Sequence, residues 1–434
     1  MTNYKQSLKN YKNKSMLFNL KPKSEFARNV LTLMTGTTIA QAIPIAISPI
    51  LTRIYTPEDF GVFALYMSIA SIASAVATGR YEMAIMLPKK DEDVKSIVKL
   101  IMILISFTTL FSLCIVFFFN QSLTDLFEDK TISLWLYFLP ISIFVAGLYQ
   151  VYNYLLIREK NFANLSTNKV IASTTTSVTQ LLFGTTFVGS LGLLVGNIFG
   201  YIISIFFIIK NKALNHFFNF QGISVAKVAK EYQNFPKYDV PSVLVSMVAN
   251  QLPLLALGKY FGLGIVGFYS LMYKVLMMPI GLVSSSILDV FKQRATQDYH
   301  TYGNCQDIYV KTFKSLFLLG IVPFAILGVF APEIFTFVFG KNWKIAGEFA
   351  QLMTPMLYLK FVVSPLSYTF YVAGKQKFDF IGQVFLLLIV MLAIYIGLKH
   401  NSEIVLLAVF SIGYAVVYLF YLGYSYILSK GINV

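Results

Sequence analysis

Charge is scarce in this chain of 434 residues. Only 13% of positions are Asp, Glu, Lys or Arg, about half the share of a soluble globular domain, which excludes a water-facing enzyme and a charged disordered chain. Cysteine is almost absent. Cys114 and Cys305 cannot build a disulfide scaffold or a multi-thiolate metal site, and both lie in or beside apolar or cytoplasm-assigned segments where a bridge is not expected. His216, His300 and His400 are far apart and all expected in loops, so they offer no zinc-ligand spacing. No Gly-rich loop ends in Gly-Lys-Ser/Thr, and no hydrolytic motif is present. The chain reads as a non-enzyme without a cofactor, and direct ATP coupling would need a separate subunit.

What the chain has is apolar length: 56% hydrophobic and 16% aromatic residues, with a mean hydropathy of +0.67. Twelve apolar stretches are bounded by charge, proline or polar clusters, near 29–51, 61–87, 97–119, 131–157, 165–186, 190–209, 236–258, 264–290, 309–331, 345–370, 378–397 and 402–428. Each is long enough to cross about 30 Å of hydrocarbon as a helix. The expected fold class is therefore an all-α polytopic membrane protein with about 12 transmembrane helices.

The basic excess, 35 Lys and Arg against 20 Asp and Glu for a net +15, is read against the bilayer before nucleic acid is considered. Placing both termini inside assigns 21 bases to the cytoplasmic segments and six to the opposite loops. That asymmetry follows the positive-inside rule, gives an even number of spans and leaves no excess to explain by nucleic acid. Residues 1–28 form a basic cytoplasmic segment without the apolar core of a signal peptide. They read as a solvated tail, with an interfacial amphipathic helix around Leu17, Phe18, Leu20 and Phe26 as the alternative.

The chain also repeats itself. IAQAIP at 39–44 parallels VANQLP at 248–253, and GVFALYM at 61–67 parallels GFYSLMY at 267–273. Six spans per unit preserve orientation, so the repeat predicts two parallel six-helix lobes around a central cavity, an N-lobe at 29–209 and a C-lobe at 236–434 joined by a cytoplasmic linker at 210–235. Two lobes can rock to open the cavity alternately to either face. No selectivity-filter repeat supports a channel. Pro44, Pro49, Pro253, Pro279, Pro355 and Pro365 bend helices, and Gly192, Gly196 and Gly200 make a stripe for close helix packing.

Charges inside spans cost about 2.5–3.5 kcal/mol each on insertion scales, so they should face a cavity or a partner. Arg80 and Glu82 in the second span are two residues apart and should not pair in a regular helix. Lys274 and Asp289 in the eighth lie about 22 Å apart along the helix. Asp289 is expected to cap the helix or pair with Lys292 or Arg294. Lys237 and Asp239 open the seventh span, and Lys360 sits near the middle of the tenth. The bases Arg28, Arg53, Arg80, Lys274 and Lys360 are candidate contacts for an anionic, phosphorylated cargo. Gln41 and Gln251, with Gln180 and Asn250, are candidate hydrogen-bonding groups or helix joiners. Glu82, Asp239 and Asp289 are candidate ion-coupling acids.

The stretch 29–72, above all LTRIYTPEDFG at 51–61, resembles the opening of bacterial O-antigen and polysaccharide flippases of the multidrug/oligosaccharidyl-lipid/polysaccharide exporter superfamily. Arg53, Thr56, Pro57, Glu58 and Asp59 match that segment position for position, as a turn and helix cap rather than a chemical site. The resemblance implies translocation of an undecaprenyl-diphosphate-linked oligosaccharide from the cytoplasmic to the periplasmic leaflet of the bacterial inner membrane, through a positively charged cavity. It also implies Na+ or H+ as coupling ion, and a glycan polymerase and glycosyltransferases of lipopolysaccharide biosynthesis as partners. The diphosphate and sugars would occupy the wet lobe interface while the lipid tail stays in hydrocarbon, since each methylene moved into water costs about 0.8 kcal/mol. An ion-driven exporter of cationic drugs would instead need membrane acids, and a non-transporting scaffold for glycan enzymes would need no cavity.

Overall fold

The computed structural model describes residues 25–125, 131–186, 190–210, 214–220 and 224–431. Among them are twelve helices of 20 residues or more: α1 (Glu25–Ile54), α2 (Pro57–Ala77), α3 (Asp91–Asp125), α4 (Leu139–Arg158), α5 (Phe162–Thr186), α6 (Leu191–Lys210), α7 (Val240–Phe261), α8 (Leu263–Tyr302), α9 (Gln306–Phe339), α10 (Lys344–Leu366), α11 (Gln376–Lys399) and α12 (Glu403–Ser429). Ten are long and apolar enough to cross a membrane. The protein is an all-α polytopic membrane fold, the arrangement that keeps every backbone amide bonded within its own helix. The two helices that fall short are α5, rich in Ser, Thr and Asn, and α10, which carries Glu348 and Lys360. The tail at 1–24 and its alternative amphipathic helix lie outside the described residues.

Helix α5 is polar because its hydroxyls stitch it to its neighbours. Ser166 Oγ donates to the Thr32 carbonyl at 2.7 Å and Ser173 Oγ to that of Ala40 at 2.5 Å, both on α1. Gln180 Nε2 donates to the Leu193 carbonyl of α6 at 3.0 Å. On α6 the glycine stripe packs as expected: a Cβ at Gly196 would meet the Thr176 carbonyl at 3.0 Å, and one at Gly200 the Ala172 carbonyl at 2.8 Å. Within α1–α6, α2 packs on α4, α3 on α4, α4 on α6 and α5 on α6. Within α7–α12 the same pairs recur: α8 on α10, α9 on α10, α10 on α12 and α11 on α12.

The two sets of six meet most closely through α2 and α8. At the end of the bundle opposite the start of α1, the far end, α2 begins with a capping box. Thr56 accepts from the Asp59 amide at 3.2 Å, Asp59 accepts from the Thr56 amide at 3.0 Å, and Pro57 takes the first turn, as the sequence implied. A Cβ at Gly61 would stand 1.9 Å from the Leu263 carbonyl oxygen, and one at Gly267 would stand 1.8 Å from that of Pro57. Beside them Trp343, buried, donates from Nε1 to the Thr52 carbonyl at 3.0 Å and meets the edges of Phe60 and Phe268. This aromatic and backbone contact joins the two sets at the far end.

At the near end, where α1 starts, the apolar run 61–87 does not stay one helix. Helix α2 stops at Ala77, Gly79 and Arg80 take left-handed backbone (φ 59° and 62°), and Tyr81–Met86 form a 3-10 turn. The linker is anchored rather than free: Leu214, Phe217 and Val228 are buried against the first six helices, and Tyr81 Oη donates to the Ala229 carbonyl at 3.1 Å. It runs through one π-helical turn, Phe235–Asp239, into α7. His300 sits in the last turn of α8 rather than in a loop. Cys114 and Cys305 are free thiols.

Candidate functional site

A cavity of about 270 Å³ lies between the two sets of helices. It is lined by Met67, Ala70, Ser71, Ser74 and Ala75 of α2, Ser142, Ala146 and Gln150 of α4, Asn197 and Tyr201 of α6, Val243 and Met247 of α7, and Arg80. Each helix supplies one face, because three- and four-residue steps return a side chain to the same side. Serine, alanine and asparagine keep those faces small enough to leave space. A larger groove of about 580 Å³ between α11 and α12 is lined by Phe, Ile, Val, Tyr and Gly382, with no charged group.

Arg80 anchors the near end of the cavity. Its Nε donates to Asp239 Oδ2 at 2.7 Å, its Nη1 to Glu82 Oε1 at 3.2 Å, and its Nη2 to Met83 Sδ at 2.9 Å. The expectation that Arg80 and Glu82 would not pair is therefore corrected. The argument held for a regular helix, and the left-handed residues after Thr78 end the helix and turn both side chains to one side. Glu82 is fully buried and accepts from Gln150 Nε2 at 2.8 Å and from the Thr78 hydroxyl. Burial pushes its carboxyl above the ordinary range, opposed by the Thr78 hydrogen bond, its own backbone and the Arg80 charge. Burial also draws the Arg80 guanidinium down, but the hydrogen bond to Asp239 and the charges of Glu82 and Asp239 outweigh it, leaving the group above its ordinary value. Asp239 comes from the other set of six helices, so this ion pair ties the two together at the near end as Trp343 and Thr52 do at the far end.

Of the sequence candidates, then, Arg80, Glu82 and Asp239 meet in one cluster. The others do not join it. Lys274 in α8 and Lys360 in α10 are half-buried and make no ion pair among the described residues. Gln41 and Gln251 are half-buried on α1 and α7, and Arg53 is exposed at the far end. The Arg28 side chain lies outside the described residues. Asp289 is exposed, and its expected partners are engaged elsewhere: Arg294 pairs with Asp298 at 3.2 Å, and Lys292 lies over the Tyr368 ring at 5.2 Å. That expectation is corrected, because the i+4 step on α8 gives Arg294 a nearer carboxylate.

Sequence reasoning missed Gln150, Ser74, Asn197 and Tyr201, uncharged groups that carry no burial-cost signal. It also missed Lys169, a base inside the fifth apolar stretch whose Nζ donates to Thr37 Oγ1 of α1 at 3.2 Å. That one was visible by the same rule that singled out Lys360. Among the described residues no three His, Cys, Asp or Glu side chains gather in a way that could hold a metal ion.

Comparison with known proteins places this geometry. Residues 50–347 match the family described as polysaccharide biosynthesis protein, a span that starts at the far-end turn and takes in the whole cavity. A curated relative, the amylovoran biosynthesis protein AmsL of Erwinia amylovora, is 23% identical over 190 residues, covering 40% of this chain and 47% of its own length. The chain thus spans about half the length of that relative. Among solved structures, the lipid II flippase MurJ in an inward closed conformation is similar at a TM-score of 0.68, with 18% identity over 91% of this chain and 87% of that one. An inward-facing multidrug resistance MATE family transporter of the MOP superfamily gives 0.67, with 15% identity over 90% and 93%. The chain belongs to the polysaccharide biosynthesis protein family, as a polytopic membrane protein whose fold is similar to that of these two solved structures.

Proposed function

We propose that the protein flips a polyprenyl-diphosphate-linked oligosaccharide from the cytoplasmic to the periplasmic leaflet of a bacterial inner membrane, by alternating access between two parallel six-helix lobes. The carrying observation is a polar cavity lined from both sets of helices, held at the near end by the Arg80–Asp239 ion pair and at the far end by backbone contact. In this reading residues 1–28 are the cytoplasmic tail, 29–209 and 236–434 the lobes and 210–235 the linker. Both termini are cytoplasmic, and the near end faces the cytoplasm. Lys274 and Lys360, half-buried without carboxylate partners, are the bases that meet the diphosphate, as point charges. Glycosyltransferases supply the cargo and a polymerase consumes it.

Coupling to a proton follows from the same cluster. Taking up a proton at Glu82 removes one of the two carboxylates that hold Arg80, so the inter-lobe ion pair and the coupling acid share one guanidinium. The test is reconstitution into vesicles with a defined lipid-linked oligosaccharide, scoring its transfer between leaflets with and without a pH or sodium gradient. No transfer under any gradient would sink the proposal.

A second reading is favoured by one observation: Arg80, the charged residue of the cavity lining, is paired with two carboxylates, which leaves the cluster negative, the sign that a cationic drug prefers. Direct efflux of a cationic dye from the same vesicles, with no transfer of the lipid-linked oligosaccharide, would put that reading first.

A further inference from the structure

The cavity at Arg80 has the wrong charge for a diphosphate. All three guanidinium nitrogens are engaged, by Asp239, Glu82 and Met83 Sδ, and the three charged groups sum to one negative charge when both acids are ionised. Asp239 bears on the cavity through the ion pair: the Arg80 that it holds lines the space, and its π-helical turn leads into α7, whose Val243 and Met247 also line it. Two of the five guanidinium N–H groups stay open, but a phosphate that met them would face the adjacent Asp239 and Glu82 carboxylates.

Part of the neutral lining has no protein partner. Ser74, Asn197 and Tyr201 line the cavity and make no hydrogen bond to any described residue, whereas Ser142 is held by the Tyr66 hydroxyl at 2.6 Å and Gln150 by Glu82. Polar groups inside a membrane protein are costly unless paired, so three open ones around one space select a ligand with hydroxyls or amides of its own. The Tyr201 ring, 4.8 Å from that of Tyr149, adds an apolar face with a polar edge. A volume of about 270 Å³ lies at the small end of ligand sites, room for a sugar residue or two rather than for an oligosaccharide.

We infer that this cavity is a saccharide subsite which accepts an uncharged or amino-bearing sugar residue of the cargo and rejects an acidic one, such as a uronic acid, at that position. The inference rests on the flippase reading and deepens it. The diphosphate then lies elsewhere along the passage, and Asp239 and Glu82 act as a selectivity filter on the sugar through like-charge repulsion.

Two synthetic polyprenyl-diphosphate disaccharides, identical except for a neutral hexose or the corresponding hexuronic acid next to the diphosphate, test this on the full-length reconstituted protein, with both binding and transfer measured. The neutral lipid is expected to bind about tenfold or more tightly than the acidic one, the size of one like charge at short range in a partly hydrated site. Asp239→Asn should narrow that ratio. Asn197→Ala, which leaves the ion pair intact, should weaken the neutral lipid several-fold. Equal or tighter binding of the acidic lipid, with both lipids transferred, would overturn the subsite and leave the flippase reading standing. Binding and transfer of neither would overturn both. If Asp239→Asn does not insert, the Asn197→Ala result decides: an unchanged affinity for the neutral lipid overturns the subsite.

Discussion

Gly61 and Leu263 meet backbone to backbone, with no room between them for one methyl group, and Gly267 meets Pro57 in the same way. Leu263 and Gly267 follow Pro57 and Gly61 by the same 206 positions, so the contact is self-complementary. The residue that touches in one set of helices is touched in the other, as at a two-fold interface. This is the strongest support for the two-lobe reading, and it falls where the GVFALYM and GFYSLMY segments begin. Gly61→Ala or Gly267→Ala should force α2 and α8 apart at the far end, costing about 1–3 kcal/mol as overpacking does, and break the Trp343–Thr52 bond. The emission of buried Trp343 should shift to the red. Gly281→Ala, on the same helix α8 but with nothing within 4 Å, should leave emission and stability unchanged or slightly improved. An unshifted spectrum in both interface variants would show that the far end does not depend on this contact.

Removing Arg80 leaves Glu82 as a buried charge with only Gln150 and Thr78 to satisfy it. Arg80→Ala should destabilise the protein by about 3 kcal/mol, the usual result of deleting one partner of a buried pair. Arg80→Ala combined with Glu82→Gln should recover most of that loss, because no unpaired charge remains. Thermal unfolding in detergent measures both. A double variant no more stable than Arg80→Ala alone would place the loss in the left-handed turn rather than in the pair.

The sign of the pH dependence follows from Glu82. Its carboxyl in the folded protein sits above the ordinary 4.5, chiefly through burial, so the folded state holds this proton longer than the unfolded chain does. The stability it contributes is complete below about 4.5, the unfolded value, and is lost as pH rises through the raised folded value. The groups facing it are the Thr78 hydroxyl and its own backbone amide, which oppose the rise, Arg80, which opposes it too, and Asp239, which adds to it, with Gln150 donating a hydrogen bond from α4. Stability measured against pH should therefore fall over that window, and Glu82→Gln should flatten the curve there. A curve of the same slope in Glu82→Gln assigns the titration to another group.

Twelve long helices were legible because each apolar run ends in charge, proline or a polar cluster, and even polar α5 was found, since its hydroxyl groups do not interrupt the run. The break after Ala77 was not, because run 61–87 turns apolar again at Met83–Leu87 after Arg80 and Glu82, and only Gly79 marks the turn. That one turn decided the site: it makes Arg80 and Glu82 partners and brings Asp239 to them across 159 residues. Charge was legible by its cost in the bilayer, which found three members of the cluster. Ser74, Asn197 and Tyr201 were not, since neutral polar groups join helices as often as they bind ligands. Only their lack of partners in three dimensions separates the two roles.

In the proposed function Lys360 and Lys274 are the bases that meet the diphosphate. Each bears the cost of an intramembrane charge, about 2.5–3.5 kcal/mol at the centre of a bilayer, and neither has a carboxylate among the described residues to offset it. A purely structural lysine in that position would be better replaced by an apolar residue. Lys360→Met and Lys274→Met should therefore insert at least as well as the parent and show equal or higher thermal stability, while transfer of a diphosphate-linked sugar falls by about tenfold or more for each lost point charge. Lys360→Arg, which keeps the charge, should retain most of the transfer. Lys169 provides the comparison, because its ammonium is already bonded to Thr37 on α1: Lys169→Met should lower stability by about 1 kcal/mol through that lost hydrogen bond and affect transfer less than either of the others. If Lys360→Met and Lys274→Met both move the lipid at the parent rate, the diphosphate is not recognised by these bases.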